Sequence, residues 1–148
     1  MLAWRNGATS QLDKILKIQK RAVRNINNAA YLAHTNELFS ENKLLKVTDV
    51  YFYNLGIFMY QLSANELPVI VSNLFIKNYN VHSYPTRQSH SFHLPRTRTI
   101  FAQKNITFTG PKYWNDLSVK LTVSTSMFTF KRKLKLFILS NYATQAGQ

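Results

Sequence analysis

Residues 49–63 read DVYFYNLGIFMYQLS, and this stretch decides the fold. Val50, Tyr51, Leu55, Phe58, Met59 and Leu62 recur at steps of one, four, three, one and three, which gathers them on one face of a helix. Thr48 stands where a cap belongs. Gly56 inside this helix costs about 1 kcal/mol relative to Ala, so its presence implies close packing there. The segment is the most apolar in the chain and the expected centre of the core. It is not a membrane span: the uncharged run Val50–Asn65 has 16 residues and includes Asn54, Gln61 and Ser63, whereas a span needs about 20 mostly apolar residues.

Upstream, a helix is expected over 10–27, with Ser10 as cap and Asp13 in the first turn, where a carboxylate suits the helix dipole. Leu12, Ile15, Leu16, Ile18, Ala22, Val23 and Ile26 form its apolar stripe. Lys14, Lys17, Arg21 and Arg24 form a basic stripe on another face, and Asn27-Asn28 ends it. A short helix follows over 36–42, capped by Thr35. Downstream, Pro68 opens a short helix through Phe75, because Pro is tolerated in a first helical turn.

From Asn78 to Arg98 no period fits. His82, His90, His93, Pro85, Pro95 and several Ser, Thr and Arg residues crowd this segment, which reads as a long basic loop. Ile100, Phe101, Ile106 and Phe108 make Thr99–Thr109 β-like, one or two short strands forming a small hairpin. Gly110-Pro111 punctuates, and Lys112–Leu117 makes a short helical turn carrying Trp114 as a core anchor. A last helix is expected over 126–142, capped by Ser124 or Thr125, with Phe128, Phe130, Leu134, Phe137, Ile138 and Tyr142 on its apolar side and Lys131, Arg132, Lys133 and Lys135 on its flank.

The expected fold is therefore mainly α: a single helical domain over 1–142 with a frayed tail at 143–148. It divides into a helical half (1–77), the basic loop and β-like segment (78–109) and a C-terminal helical part (110–142). Leu55, Phe58, Met59, Trp114, Phe130, Leu134 and Phe137 are the expected core.

The length of 148 residues suits one domain, and 45% hydrophobic with 14% aromatic residues is enough apolar material for a core. Nineteen Lys and Arg against six Asp and Glu give a net charge of +13, and the pI is near 10.2. Such an excess points to a polyanionic partner. Residues 76–148 carry 11 basic and one acidic side chain, so the anion-binding surface is expected in the second half. Cysteine is absent, which excludes disulfides, Cys-based zinc sites and cysteine nucleophiles. No secretory signal is visible, so an intracellular place, nucleus or cytoplasm, is expected.

Catalytic chemistry finds no foothold. Nucleotidyl transfer needs carboxylates that hold two metal ions, and Asp13, Asp49 and Asp116 are scattered. Glu37 and Glu41, four apart, read as a solvated helix face. Phosphate-binding, dinucleotide, zinc-protease and serine-hydrolase motifs are missing. His82, His90 and His93 read as loop residues rather than metal ligands. No catalytic residue, metal, cofactor or small-molecule substrate is expected. Instead, planar and cationic groups interleave at Tyr84, Arg87, Phe92, Arg96, Arg98, Phe101 and Lys104. Extended basic segments follow a phosphate backbone, and aromatics stack on bases.

Several blocks occur in order along the chain: Trp4, then LDKILKIQKRAVR at 12–24, His34-Thr35 with Leu38-Phe39, LLKV at 44–47 with Asp49-Val50-Tyr51, Phe58-Met59-Tyr60, His82-Ser83-Tyr84 with Thr86-Arg87, Gly110-Pro111 with Trp114-Asn115, and FKRKLK at 130–135. In this order the chain resembles the region downstream of the polymerase domain in reverse transcriptases of LINE-type (non-LTR) retrotransposons. It departs from the pattern at Arg5-Asn6-Gly7, where the family has Gly directly after Trp. The family's Tyr-x-Asp-Asp motif and palm carboxylates have no counterpart.

The resemblance implies a non-catalytic C-terminal fragment of an RNA-directed DNA polymerase, an accessory region that handles template. Met1 would be an internal methionine of a truncated or decayed copy. Its partners would be RNA or DNA and the polymerase core, with no membrane. Tyr84, Arg87, Arg96, Arg98, Lys104 and Lys112 are the expected nucleic-acid contacts, the cations on phosphates and Tyr84 stacking. The alternatives are a basic protein-interaction module, or an inactive retroelement remnant with no nucleic-acid role.

Overall fold

A computed structural model describes residues 9–81 and 87–144. Among them eight α-helices and one 3-10 turn carry the fold, with no strand beyond a single antiparallel bridge between Lys77 and Phe92. The helices are α1 (Thr9–Ile26), α2 (Thr35–Glu41), α3 (Val47–Ser63), α4 (Val69–Ser72), α5 (Ile100–Gln103), α6 (Ile106–Asp116), α7 (Val119–Thr122) and α8 (Met127–Thr144). The 3-10 turn is Asn78–Asn80. No helix among the described residues is long and apolar enough to cross a membrane. The mainly helical reading holds.

Contacts divide the chain into two compact units, residues 1–54 with 131–148 and residues 55–130. The helices α3 and α8 each give a segment to both.

Unit one holds α1, α2, the start of α3 and most of α8. Phe39 and Leu134 are fully buried, and Val23, Tyr51, Ile138, Leu139 and Tyr142 nearly so. Burying an aliphatic or aromatic side chain of this size is worth about 1.5–3 kcal/mol. Polar side chains fasten the connections. Gln19 donates to the Leu45 carbonyl at 2.8 Å and accepts from the Val47 amide at 2.9 Å, holding the entry of α3 against α1. Arg24 donates through Nε to the Ala33 carbonyl at 3.0 Å.

The first three helices end in a left-handed turn. Asn28, Lys43 and Asn65 have φ of 48°, 51° and 57°. Each is followed by an amide that reaches back to the last turn: Ala29 to Arg24, Leu44 to Phe39 and Glu66 to Gln61, all at 2.9 Å. Asn adopts this conformation at little cost because its side chain is short and polar.

Unit two is built on Met59, Leu62, Phe75 and Phe92, with Phe58, Leu67, Val71, Ile106 and Trp114 packed against them. Phe130 stacks on Tyr60 with ring centroids 4.6 Å apart and lies tilted against Trp114 at 5.8 Å. The Tyr60 hydroxyl donates to the Ser124 carbonyl at 3.0 Å, so this aromatic is tied as well as packed.

The expected short strands over Thr99–Thr109 are helices instead. Thr99 caps α5 by accepting from the Ala102 amide at 3.2 Å, and Asn105 caps α6 by accepting from the Thr107 amide at 3.2 Å. These local bonds outweigh the β preference of Ile100, Phe101, Ile106 and Phe108. Gly110-Pro111 does not punctuate either: both residues are buried inside α6. A Cβ on Gly110 would stand 2.8 Å from Met59 Sδ, so the glycine permits close packing rather than a turn.

Boundaries shift in several places. Ser10 and Thr35 lie inside α1 and α2 rather than capping them, and Asp13 falls beyond the first turn of α1. His34 takes the N-cap position of α2 without a side-chain capping bond. Thr48 lies inside α3, which begins at Val47. The helix after Pro68 ends at Ser72 rather than Phe75. Ser126, rather than Ser124 or Thr125, accepts the Thr129 amide at 3.2 Å at the start of α8. Residues 143 and 144 belong to α8, and 145–148 lie outside the described residues.

Four of the seven expected core residues, Leu55, Met59, Phe130 and Leu134, are fully buried. Phe58 and Trp114 are half-buried against the unit-two cluster. Phe137 is 40% exposed and Phe128 77% exposed, because the buried line of α8 runs in steps of four through Phe130, Leu134, Ile138 and Tyr142.

Candidate nucleic-acid interface

The segment expected to carry the chemistry belongs to unit two. It is irregular but tied. The Asn78 amide donates to the Ser91 carbonyl and the Tyr79 amide to the Ser89 carbonyl, both at 3.0 Å. The His93 amide donates to the Ile76 carbonyl at 2.7 Å. Asn78 Nδ2 reaches the Gln88 carbonyl at 2.9 Å. Asn115 of α6 then clamps Phe92 from both sides, accepting from its amide at 3.1 Å and donating to its carbonyl at 2.8 Å. Phe92 is buried, so it anchors the segment and is not free to stack on a base.

Arg87, Arg96, Arg98, Lys104 and Lys112 are all exposed. Arg87 lies in a turn, and Arg96 and Arg98 lie on the irregular stretch that runs into the Thr99 cap. Lys104 ends α5 and Lys112 lies on α6. Tyr84 and His82 lie outside the described residues, as does the Trp4 segment. Phe101, between Arg98 and Lys104, is 85% exposed.

A second aromatic feature escaped the sequence reading. Tyr79, half-exposed on the 3-10 turn, meets exposed His90 edge to face with ring centroids 6.1 Å apart. Lys77 Nζ lies 5.9 Å from the Tyr79 ring and 5.9 Å from the Phe92 ring. The only signal in the sequence was the NYN triplet at 78–80, which has no periodic neighbours. His93 turns its Nδ1 toward Asn78 Oδ1 at 3.3 Å, so it and His90 have separate neighbours. Among the described residues, no three His, Asp or Glu side chains gather as a metal ion requires.

Unit one carries other cations. Lys14, Lys17 and Arg21 on α1 and Lys131, Arg132 and Lys133 on α8 are exposed. It also contains a cleft of about 320 Å³ lined by Leu16, Lys46, Thr48, Asp49, Ile138, Asn141 and Tyr142. There the Tyr142 hydroxyl accepts from the Lys46 amide at 3.1 Å and donates to the Asp49 carboxylate. Lys46 Nζ lies 4.1 Å from the Tyr142 ring centre. Burial, then the bond to Asp49, raises the Tyr142 phenol well above its ordinary value. Burial lowers the Lys46 ammonium, opposed by the charge of Asp49. The phenol thus ties two partners at once, accepting from one and donating to the other.

No family model matches the chain, and neither a curated protein nor a solved structure matches it.

Proposed function

We propose that this chain is a nucleic-acid-binding element with no catalytic machinery of its own, an accessory, template-handling region of a LINE-type reverse transcriptase. One observation carries the reading. Arg87, Arg96, Arg98, Lys104 and Lys112 are all exposed on unit two, and exposed Phe101 lies among them. Exposed Arg and Lys side chains are the groups that contact phosphate oxygens in nucleic-acid interfaces. The net charge of +13 adds long-range attraction. Filter binding of labelled RNA at low and at moderate salt tests it. The reading predicts binding that weakens steeply as salt rises; no binding at low salt overturns it.

A second reading, a protein-docking module, is favoured by α1. Ile15, Ile18 and Ile26 are 47%, 66% and 66% exposed, and exposed Lys14, Lys17 and Arg21 lie beside them. This face would complement an acidic surface with an apolar centre. In that case, RNA would be retained weakly or not at all in the same assay.

A further inference from the structure

Tyr79 is a large ring kept half outside the protein on a turn that the chain takes trouble to hold. Its own amide, the amide and side chain of Asn78, and the bridge at Lys77 and Phe92 all fasten the turn to residues 88–92. Buried Phe92 and the Asn115 clamp anchor that partner segment in turn. None of these bonds is needed to bury Tyr79, which adds little to the core. What they secure is the turn that carries a half-exposed ring, with His90 meeting it edge to face and the Lys77 ammonium over it at 5.9 Å.

We infer that Tyr79, braced by His90 and with the Lys77 ammonium near it, is a stacking site for an unpaired base, which makes single-stranded RNA or DNA the ligand class of unit two. A fixed ring pays little ordering entropy when a base stacks on it. Cations nearby hold the adjacent phosphates. Bases in a duplex are already stacked on each other and present no free face, so a duplex can use only the cations. This inference rests on the nucleic-acid reading above and sharpens it.

Fluorescence anisotropy on the whole chain tests it, with labelled oligo-U and oligo-dT of about 15 nucleotides and a hairpin duplex of matched charge. Single strands should bind more tightly than the duplex. Tyr79→Ala should weaken single-strand binding about 5- to 150-fold, the range for loss of one stacked base. It should leave the salt slope unchanged, since no phosphate contact is lost. Tyr79→Phe should bind like the unaltered chain and Tyr79→Leu like Tyr79→Ala. Tyr79 is exposed, so the variants should keep their helical circular dichroism. Wild-type affinity in Tyr79→Ala with the steep salt slope intact would overturn the stacking site and leave the phosphate-binding reading standing. Equal affinity for duplex and single strand would do the same. Failure of the unaltered chain to bind any of the three probes would overturn both.

Discussion

Tyr142, near the end of α8, donates its hydroxyl hydrogen to Asp49, in the first turn of α3, across 93 residues of sequence. The same oxygen accepts the Lys46 amide, so one phenol ties the loop before α3 and its first turn to the last helix within unit one. Phe39 closes the site, edge to face with Tyr142 at 6.5 Å. The contact joins residues far apart in the chain and forms only when unit one is folded.

Tyr142→Phe should therefore destabilise the chain by about 1–3 kcal/mol near neutral pH, because two polar partners lose their bond. The pH dependence follows from the raised phenol. Below its ordinary value of 10.0, folded and unfolded chains both hold the proton and the stabilisation is complete. Above that value the unfolded chain loses its proton first, and the stabilisation falls until the folded phenol ionises as well. The gap between wild type and Tyr142→Phe in urea midpoints should narrow above about pH 10. A gap that stays constant into alkali would contradict the assignment. Lys46 acts in the opposite sense: the cost of its lowered value is complete at neutral pH and is relieved as the pH rises toward 10.5.

Gly110→Ala sets two effects against each other. A helix gains about 1 kcal/mol from Ala over Gly. Here the new methyl would stand 2.8 Å from Met59 Sδ and 3.7 Å from a Phe75 ring carbon. Met59 is fully buried, so its displaced thioether must press on packed neighbours, and overpacking of about 1–3 kcal/mol should win. Thermal melts should show a loss of roughly 2–5 °C. In a Met59→Ala background the clash is gone, and Gly110→Ala should become stabilising. An equal loss in both backgrounds would refute the packing role.

Asn115→Ala removes both bonds to Phe92 and should cost about 1–3 kcal/mol. The effect should be local. Amide hydrogen exchange should quicken at Phe92, Asn78 and Tyr79 more than in α3. Uniform quickening across unit two would mean that Asn115 supports the whole unit and not the loop. Asn115→Asp keeps the acceptor for the Phe92 amide but sets a second oxygen against the Phe92 carbonyl, so it should not restore the wild-type stability.

How much was legible depended on whether the deciding contacts were local. The face through Leu55, Met59 and Leu62 was readable because helix periodicity and burial coincide there. In α8 the same rule picked Phe128 and Phe137, which are exposed, because a broad apolar helix does not say which of its edges is covered. Phe39, Phe75 and Phe92 are core residues that no period marks, since each lies on or beside a short element whose burial is set by distant neighbours. The segment 99–109 misled because β-forming side chains were weighed above two caps that only geometry reveals. Gly110-Pro111 looked like a stop because the need for a small residue comes from Met59, 51 positions away. Among the candidate contacts, the exposed cations were legible from charge alone, while the Tyr79–His90 pair needed the fold to bring its rings together.

The central claim, that unit two binds nucleic acid through exposed arginines, is tested most directly by the salt dependence of binding in a triple variant, Arg87→Ala, Arg96→Ala and Arg98→Ala. Anisotropy with a single-stranded RNA probe over a series of salt concentrations gives the slope of log affinity against log salt. Each phosphate contact contributes about −0.7 to that slope on a single strand, so losing three should make it shallower by about 2 and weaken binding at every salt concentration. A triple variant that binds with the wild-type slope would show that these arginines do not meet phosphates and would contradict the account.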